Sequence, residues 1–218
     1  MPALETLPIH AVILDLDGTM VDSEPLSRQA WNVFLQPYGY TLDEGVYAQM
    51  VGRRSDESAR LLQSRYNLAL SVPEIIAAKN ALWSGIWQQG LPPMPGLTAL
   101  TAALAQRHIP WGVATSSPRY YAEQVLAQLR LQPDAIVGGN EVARGKPAPD
   151  GYLTAAARLG AAAARCLAVE DSVPGCEAAL NAGMVVVAIP NPFTPVAALP
   201  PVHYVCNSLA DVVPLLGG

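Results

Sequence analysis

Apolar residues in this chain follow two patterns. In residues 10–14, 109–114, 135–137, 166–169 and 184–189 they form short, nearly unbroken runs. In residues 96–107, 119–130, 150–159 and 174–182 they recur every three or four positions, and the last of these stretches is stopped by Gly183. Unbroken runs with branched residues predict strands covered on both faces, and the wider spacing predicts helices that bury one side. Strands alternating with helices predict a parallel sheet wound on both faces. The expected fold is therefore α/β, a doubly wound (Rossmann-like) parallel sheet whose first strand is residues 10–14.

Between residues 25 and 90 that rhythm stops. The spacing is helical throughout, at residues 25–35, 43–50, 56–66 and 73–89, with no β-branched run between them. Ser55 precedes Asp56 and Glu57, which predicts an N-cap followed by acids in the first turn. Pro92, Pro93 and Pro95 then mark the return to alternation. This predicts an all-helical cap at residues 23–91, inserted into a core made of residues 1–22 and 92–218, with joints near residues 20–25 and 90–95.

Composition narrows the classes. Half of the residues are hydrophobic (51%) and few are charged (14%), enough for a sizeable core, and the net charge of −5 argues against a nucleic-acid-binding surface. Cys166, Cys176 and Cys206 are far apart and include no C-x-x-C pair, so buried reduced thiols are expected rather than disulfides or zinc. The first residues, MPALETLPIH, carry no basic cluster ahead of the apolar run, so no signal peptide is expected, and no stretch reads as a membrane span. The expectation is a cytoplasmic monomer that meets neither nucleic acid nor membrane.

In open α/β sheets, ligands bind at the carboxyl ends of the strands, so the residues following each strand carry the chemistry. The first strand runs into ILDLDGTMVDS, which brings Asp15 and Asp17, two residues apart, to one side of its tip. Two like charges repel there and each resists desolvation, and a cation would relieve both problems. Thr115, Ser116 and Ser117 follow the second strand, Lys146 lies in GKPAPD after the third, and Glu170 and Asp171 end the fourth. Carboxylates, hydroxyls and an ammonium at one rim suit phosphoryl transfer. Carboxylates hold Mg2+, one of them can attack phosphorus, and a lysine with a hydroxyl can bind the phosphate oxygens.

The segments DLDGTMVDSEPL, ATSSPR, GKPAPDGY and VEDSVPGCEAALNAGM together resemble the haloacid-dehalogenase-like hydrolases, in particular the β-phosphoglucomutase-like and pseudouridine-5′-phosphatase-like subgroup. The resemblance implies that Asp15 is the nucleophile and that Asp17 is the general acid/base, also lending a main-chain carbonyl to Mg2+. It implies that Thr115, Ser116 and Lys146 bind phosphate, and that Asp171 completes the metal site with Glu170 in or beside it. Ser27 stands where the mutases carry a histidine, and Gly52-Arg53-Arg54-Ser55 replaces their G-x-S-R loop. The implied activity is thus a phosphatase of small phosphorylated metabolites, sugar phosphates or nucleoside monophosphates, with a phosphohexomutase as the alternative. Arg53, Arg54 and Arg119 are the expected specificity residues, and Trp83 and Trp87, four apart, are expected to pack within the cap or between cap and core.

Overall fold

The structure, a computed structural model, describes residues 9–217. The reading of residues 1–8 as lacking a leader falls outside them. The first strand, β1 (Ala11–Leu14), is followed by a helical insertion, α1 (Glu24–Leu35), α2 (Glu44–Ala48), α3 (Ser55–Arg65) and α4 (Val72–Trp87). Then come α5 (Leu97–Gln106), β2 (Trp111–Ala114), α6 (Arg119–Gln128), β3 (Ala135–Val137), α7 (Asp150–Arg158), β4 (Cys166–Glu170), α8 (Val173–Asn181), β5 (Val185–Ala188) and β6 (Tyr204–Val205).

The strands form one parallel sheet in the order β3-β2-β1-β4-β5-β6. Successive connections build outward from β1 through β2 to β3, then return to the other side of β1 to begin again at β4. The crevice at the carboxyl ends of β1 and β4 is therefore the topological switch point, where such sheets bind ligands. Strand alternation sorts the core into two layers. Val12, Leu14, Leu167 and Val169 join the side chains of α5, α6 and the 3₁₀ segment Leu209–Leu216. Ala11, Ile13, Cys166 and Ala168 face the small residues Ala155, Ala156, Ala178 and Ala179 of α7 and α8. Both faces of β1 are thus dry, which is why its sequence shows no polar alternation.

The elements fall where the apolar pattern puts them, with shifts at their ends. Ser55 is not the cap of α3 but its first residue. Arg54 holds the cap position in an extended conformation and its side chain makes no cap bond, while Asp56 and Glu57 do sit in the first turn. Strand β6 was not expected, because two residues are too few to show a period. It is set in place by His203, whose N–H donates to the Val186 carbonyl and whose Nδ1 accepts from the Val186 N–H at 3.1 Å.

The insertion has its own apolar centre, including Trp31, Phe34, Leu35, Leu62 and Ile75. Trp83 and Trp87 pack between the insertion and the core, in the layer under the sheet, with the Trp87 ring edge-on to Tyr121 of α6 at 5.3 Å. Such a pair contributes about 0.5–1.5 kcal/mol beyond the area it buries. Where the chain leaves the core and returns, its two passes bond to each other. The Asp22 N–H donates to the Pro92 carbonyl at 2.8 Å and the Met94 N–H to the Met20 carbonyl at 2.9 Å.

Candidate active site

Strand β1 ends at Leu14, and the chain turns back on itself over residues 16–21. The N–H groups of Met20 and Val21 donate to the Leu16 carbonyl, and the Gly18 N–H donates to that of Val21. Gly18 takes φ +83°, and a Cβ there would strike the Asp171 carboxylate, so glycine alone lets the turn lie against the end of β4.

The turn separates the two aspartates. Asp15, buried, accepts from Lys146 Nζ at 2.5 Å. Asp17 faces the other way and accepts from the hydroxyls of Ser117 and Tyr121, each at 2.7 Å. Ser117, which stands in the same hydroxyl run as Thr115 and Ser116, thereby joins the site. Thr115 is buried beside the aspartates, and its Oγ1 accepts from the Ser117 N–H at 3.0 Å. The Ser116 hydroxyl is engaged by the insertion, donating to the Gly52 carbonyl at 2.8 Å.

Lys146 bridges Asp15 and Glu170. Glu170 is fully buried, and its oxygens are taken up by protein donors. Lys146 Nζ and the Tyr152 hydroxyl bind Oε1, while the Ser172 hydroxyl and the N–H groups of Asp171 and Ser172 bind Oε2. Gly175 gives that carboxylate its room, since a Cβ there would overlap it. Asp171 accepts from Asn191 Nδ2 at 2.6 Å and from the Thr19 hydroxyl at 3.3 Å.

Electrostatics show strain of one sign. Burial holds the Asp15 carboxyl well above its ordinary range, opposed chiefly by Lys146, with Glu170 and Asp17 adding to the rise. Asp171 is raised by burial and then by Asp15 and Glu170. Burial works against the charge of Lys146, but Asp15 and Glu170 outweigh it and the ammonium is held above its usual range. One carboxylate oxygen each from Asp15, Glu170 and Asp171 can be chosen so that all lie within 4.8 Å of one another. All-oxygen donors with an excess of negative charge fit a hard divalent cation. Glu170 is committed to its five donors, which leaves Asp15 and Asp171 as the carboxylates with capacity to spare.

A cavity of about 80 Å³ opens beside Asp15, Asp17 and Thr115, roofed by the insertion. Here sequence reasoning missed most of the polar lining. Lys79 projects from α4 with its ammonium 5.4 Å from the Trp31 ring and 4.9 Å from that of Trp83, and burial lowers its pKa to about 8. Its one signal was a lysine in the apolar run IIAAKNALW. Glu24 accepts from the Tyr47 hydroxyl at 2.5 Å, and burial raises its pKa to about 7. Nothing local marks that pair, which comes from different helices. Ser27 also lines the cavity.

The three arginines part company. Arg53 lines the cavity and lies 3.5 Å from Glu57. Arg54 points away from it and fastens the insertion to the core, its Nη2 donating to the Val142 carbonyl at 2.6 Å and its aliphatic stem lying over Gly145, next to Lys146. Arg119 is held outside by Glu123, Glu141 and the Ile136 carbonyl. The expectation of three arginines around one substrate thus meets a structure in which Arg53 alone reaches the cavity, because helix starts set their direction.

A doubly wound sheet with a carboxylate and lysine centre at its switch point and a helical roof defines the class, an α/β protein that takes its ligand at the strand ends. Residues 9–183 match the family model "haloacid dehalogenase-like hydrolase", and the chain belongs to that family. It is 34% identical over 210 residues to a Drosophila melanogaster protein named "Probable pseudouridine-5′-phosphatase", spanning 93% of this chain and 90% of that one. It is also 34% identical over 182 residues to hexitol phosphatase A of Escherichia coli, spanning 83% and 82%. The crystal structure of CbbY from Rhodobacter sphaeroides in complex with phosphate superposes with a TM-score of 0.83 at 26% identity, over 94% of this chain and 96% of that one. Among the described residues, no helix is long and apolar enough to cross a membrane.

Proposed function

We propose that this chain is a Mg2+-dependent phosphatase of small phosphorylated metabolites, sugar phosphates or nucleoside monophosphates, working through an aspartyl-phosphate on Asp15. The observation that supports this most is the Asp15 carboxylate at the cavity edge, bound by Lys146 and close to Asp171. The phosphatases among its relatives agree with it. Ser27 in the cavity wall favours hydrolysis over mutase chemistry, since a hydroxyl stands where the mutases place an imidazole.

In this scheme an Asp15 oxygen attacks phosphorus, the bond from phosphorus to the leaving oxygen breaks, and Asp17 gives that oxygen its proton. Asp17 then takes a proton from water as the water oxygen attacks phosphorus, releasing phosphate and restoring the Asp15 carboxylate. Hydroxyls both donate and accept, so Ser117 and Tyr121 can hold Asp17 in either protonation state by rotating their protons. Lys146, with Thr115, meets the phosphoryl oxygens and offsets their growing charge. Glu170 orients Lys146. Asp15, Asp171 and the main-chain carbonyl of Asp17 would hold the cation, which supplies charge neutralisation and Lewis acidity at the phosphoryl group. Residues 23–91 act as the cap that excludes water when seated. The three unpaired cysteines suit a reducing, cytoplasmic setting.

Phosphate release from a panel of phosphomonoesters tests the reading. Hydrolysis is expected with Mg2+, lost in excess chelator, restored by added Mg2+ and poorly supported by Ca2+, which takes more ligands at longer distances. Full activity in chelator would remove the metal from the scheme.

The arginines separate by substitution. Arg53→Ala is expected to reorder the natural substrates by roughly 1–3 kcal/mol, as for an arginine paired with an anionic group. Arg54→Ala is expected to lower kcat/KM for every substrate alike, by about five- to tenfold, the cost of a lost bond to a neutral carbonyl. Arg119→Ala is expected to leave the ranking alone. A reordering by Arg54→Ala, with Arg53→Ala silent, would reverse the assignment.

A further inference from the structure

A second cavity, of about 190 Å³, lies between the C-terminal half of α4 and the start of α6. Ser55, Lys79, Trp83 and Ser117 line it and the first cavity alike. Its place relative to the chemistry follows from Asp17. Both residues whose hydroxyls hold that carboxylate, Ser117 and Tyr121, also line the second cavity. An acid must face the oxygen it protonates, so the skeleton attached to the leaving oxygen starts in the first cavity, which Asp17 lines, beside the edge where Ser117 is shared with the second. A leaving group too long for the first cavity continues towards the gap between α4 and α6.

The two linings differ in kind. Beyond the two aspartates, the first offers a further carboxylate (Glu24), the hydroxyls of Ser27 and Ser58 and the cation Arg53, with Lys79 at the edge shared by both cavities, which are partners for a hydroxyl-bearing chain. The second contains no carboxylate. It presents the rings of Trp83, Tyr120 and Tyr121 and the amides of Asn80, Gln88 and Gln124. Aromatic faces favour a flat ring, and amides both donate and accept at its edge. Tyr120 stands 56% exposed while its neighbour Tyr121 is only 3% exposed, so packing in the core does not account for an aromatic residue there.

We propose that the cavity between α4 and α6 binds the far end of the leaving group, a neutral flat heterocycle with donors and acceptors on its edge, beyond a hydroxylated link to the phosphate. The substrate class is then that of nucleoside 5′-monophosphates rather than bare sugar phosphates. This rests on the phosphatase reading above.

The test compares kcat/KM for uridine and adenosine 5′-monophosphates with that for ribose 5-phosphate, which carries the same ester and sugar without the ring. At least one nucleotide is expected to exceed ribose 5-phosphate by about tenfold or more, as ring stacking on aromatic side chains provides. Tyr120→Ala and Gln124→Ala are expected to bring that ratio down, Tyr120→Ala by about tenfold. A change in folding alone would lower both activities and leave the ratio standing. A ratio near one in the wild type, or one unmoved by both substitutions, overturns the ring site while hydrolysis of ribose 5-phosphate and p-nitrophenyl phosphate upholds the phosphatase. Hydrolysis of no phosphomonoester, with Mg2+ present, overturns both.

Discussion

Asp15→Asn is expected to lose three or more decades of turnover while folding as well as the wild type or better. The amide nearly matches the carboxylate in shape but is a far weaker nucleophile, so the covalent step fails. Burial and neighbouring like charges raise the pKa of Asp15 in the folded chain. Stability from such a group is fully present below its unfolded pKa and is lost as pH rises through the folded one. Ionising this carboxyl is therefore a burden on the cation-free protein, and asparagine imitates the neutral form. Lys146 keeps Glu170 as its partner, so no charge is orphaned. Thermal melts in chelator and steady-state phosphate release check the two halves. More than a tenth of wild-type turnover would remove the covalent mechanism.

Lys146→Ala is expected to damage both activity and fold. It leaves Asp15 and Glu170 facing each other, buried, with no ammonium between them. Removing one partner of a buried ion pair costs about 3–5 kcal/mol. Adding Glu170→Gln should recover part of that loss, because one of the two facing carboxylates is neutralised and their mutual repulsion is gone, yet it restores nothing to bind the phosphoryl oxygens. Denaturant unfolding should thus show rescue in the double variant and phosphate release should not. Return of activity along with stability would mean that Lys146 serves the fold alone.

How much of this was legible in the sequence depends on what kind of relation places each residue. Asp15, Thr115, Lys146 and Asp171 each follow an apolar run, and a parallel sheet brings successive strand ends to one rim. Local pattern plus chain order was therefore enough to gather them. Glu24, Tyr47 and Lys79 lie on three different helices of the insertion and meet only through the angles at which those helices pack, which periodicity does not encode. Arg53 and Arg54 are neighbours with the same chemistry, and their opposite destinations follow from where α3 starts, one residue earlier than the Ser55 signal implied. Strand β6 was invisible for want of length, and the commitment of Glu170 to five donors depends on a glycine three positions past Ser172.

The paired joints at Met20, Asp22, Pro92 and Met94 carry an evolutionary consequence. Because the chain departs and returns through two adjacent, mutually bonded passes, the sheet meets the helical segment as a loop tied off at its base. We propose that such a segment acts as a module. It can be lengthened, redecorated or exchanged for another while the strand register and the carboxylates beneath it stay as they are, provided the replacement ends on the same two-stranded stem. Selection can then vary the roof over the carboxylates and the lysine while the α6 side of the site, with Tyr120 and Gln124, stays with the sheet.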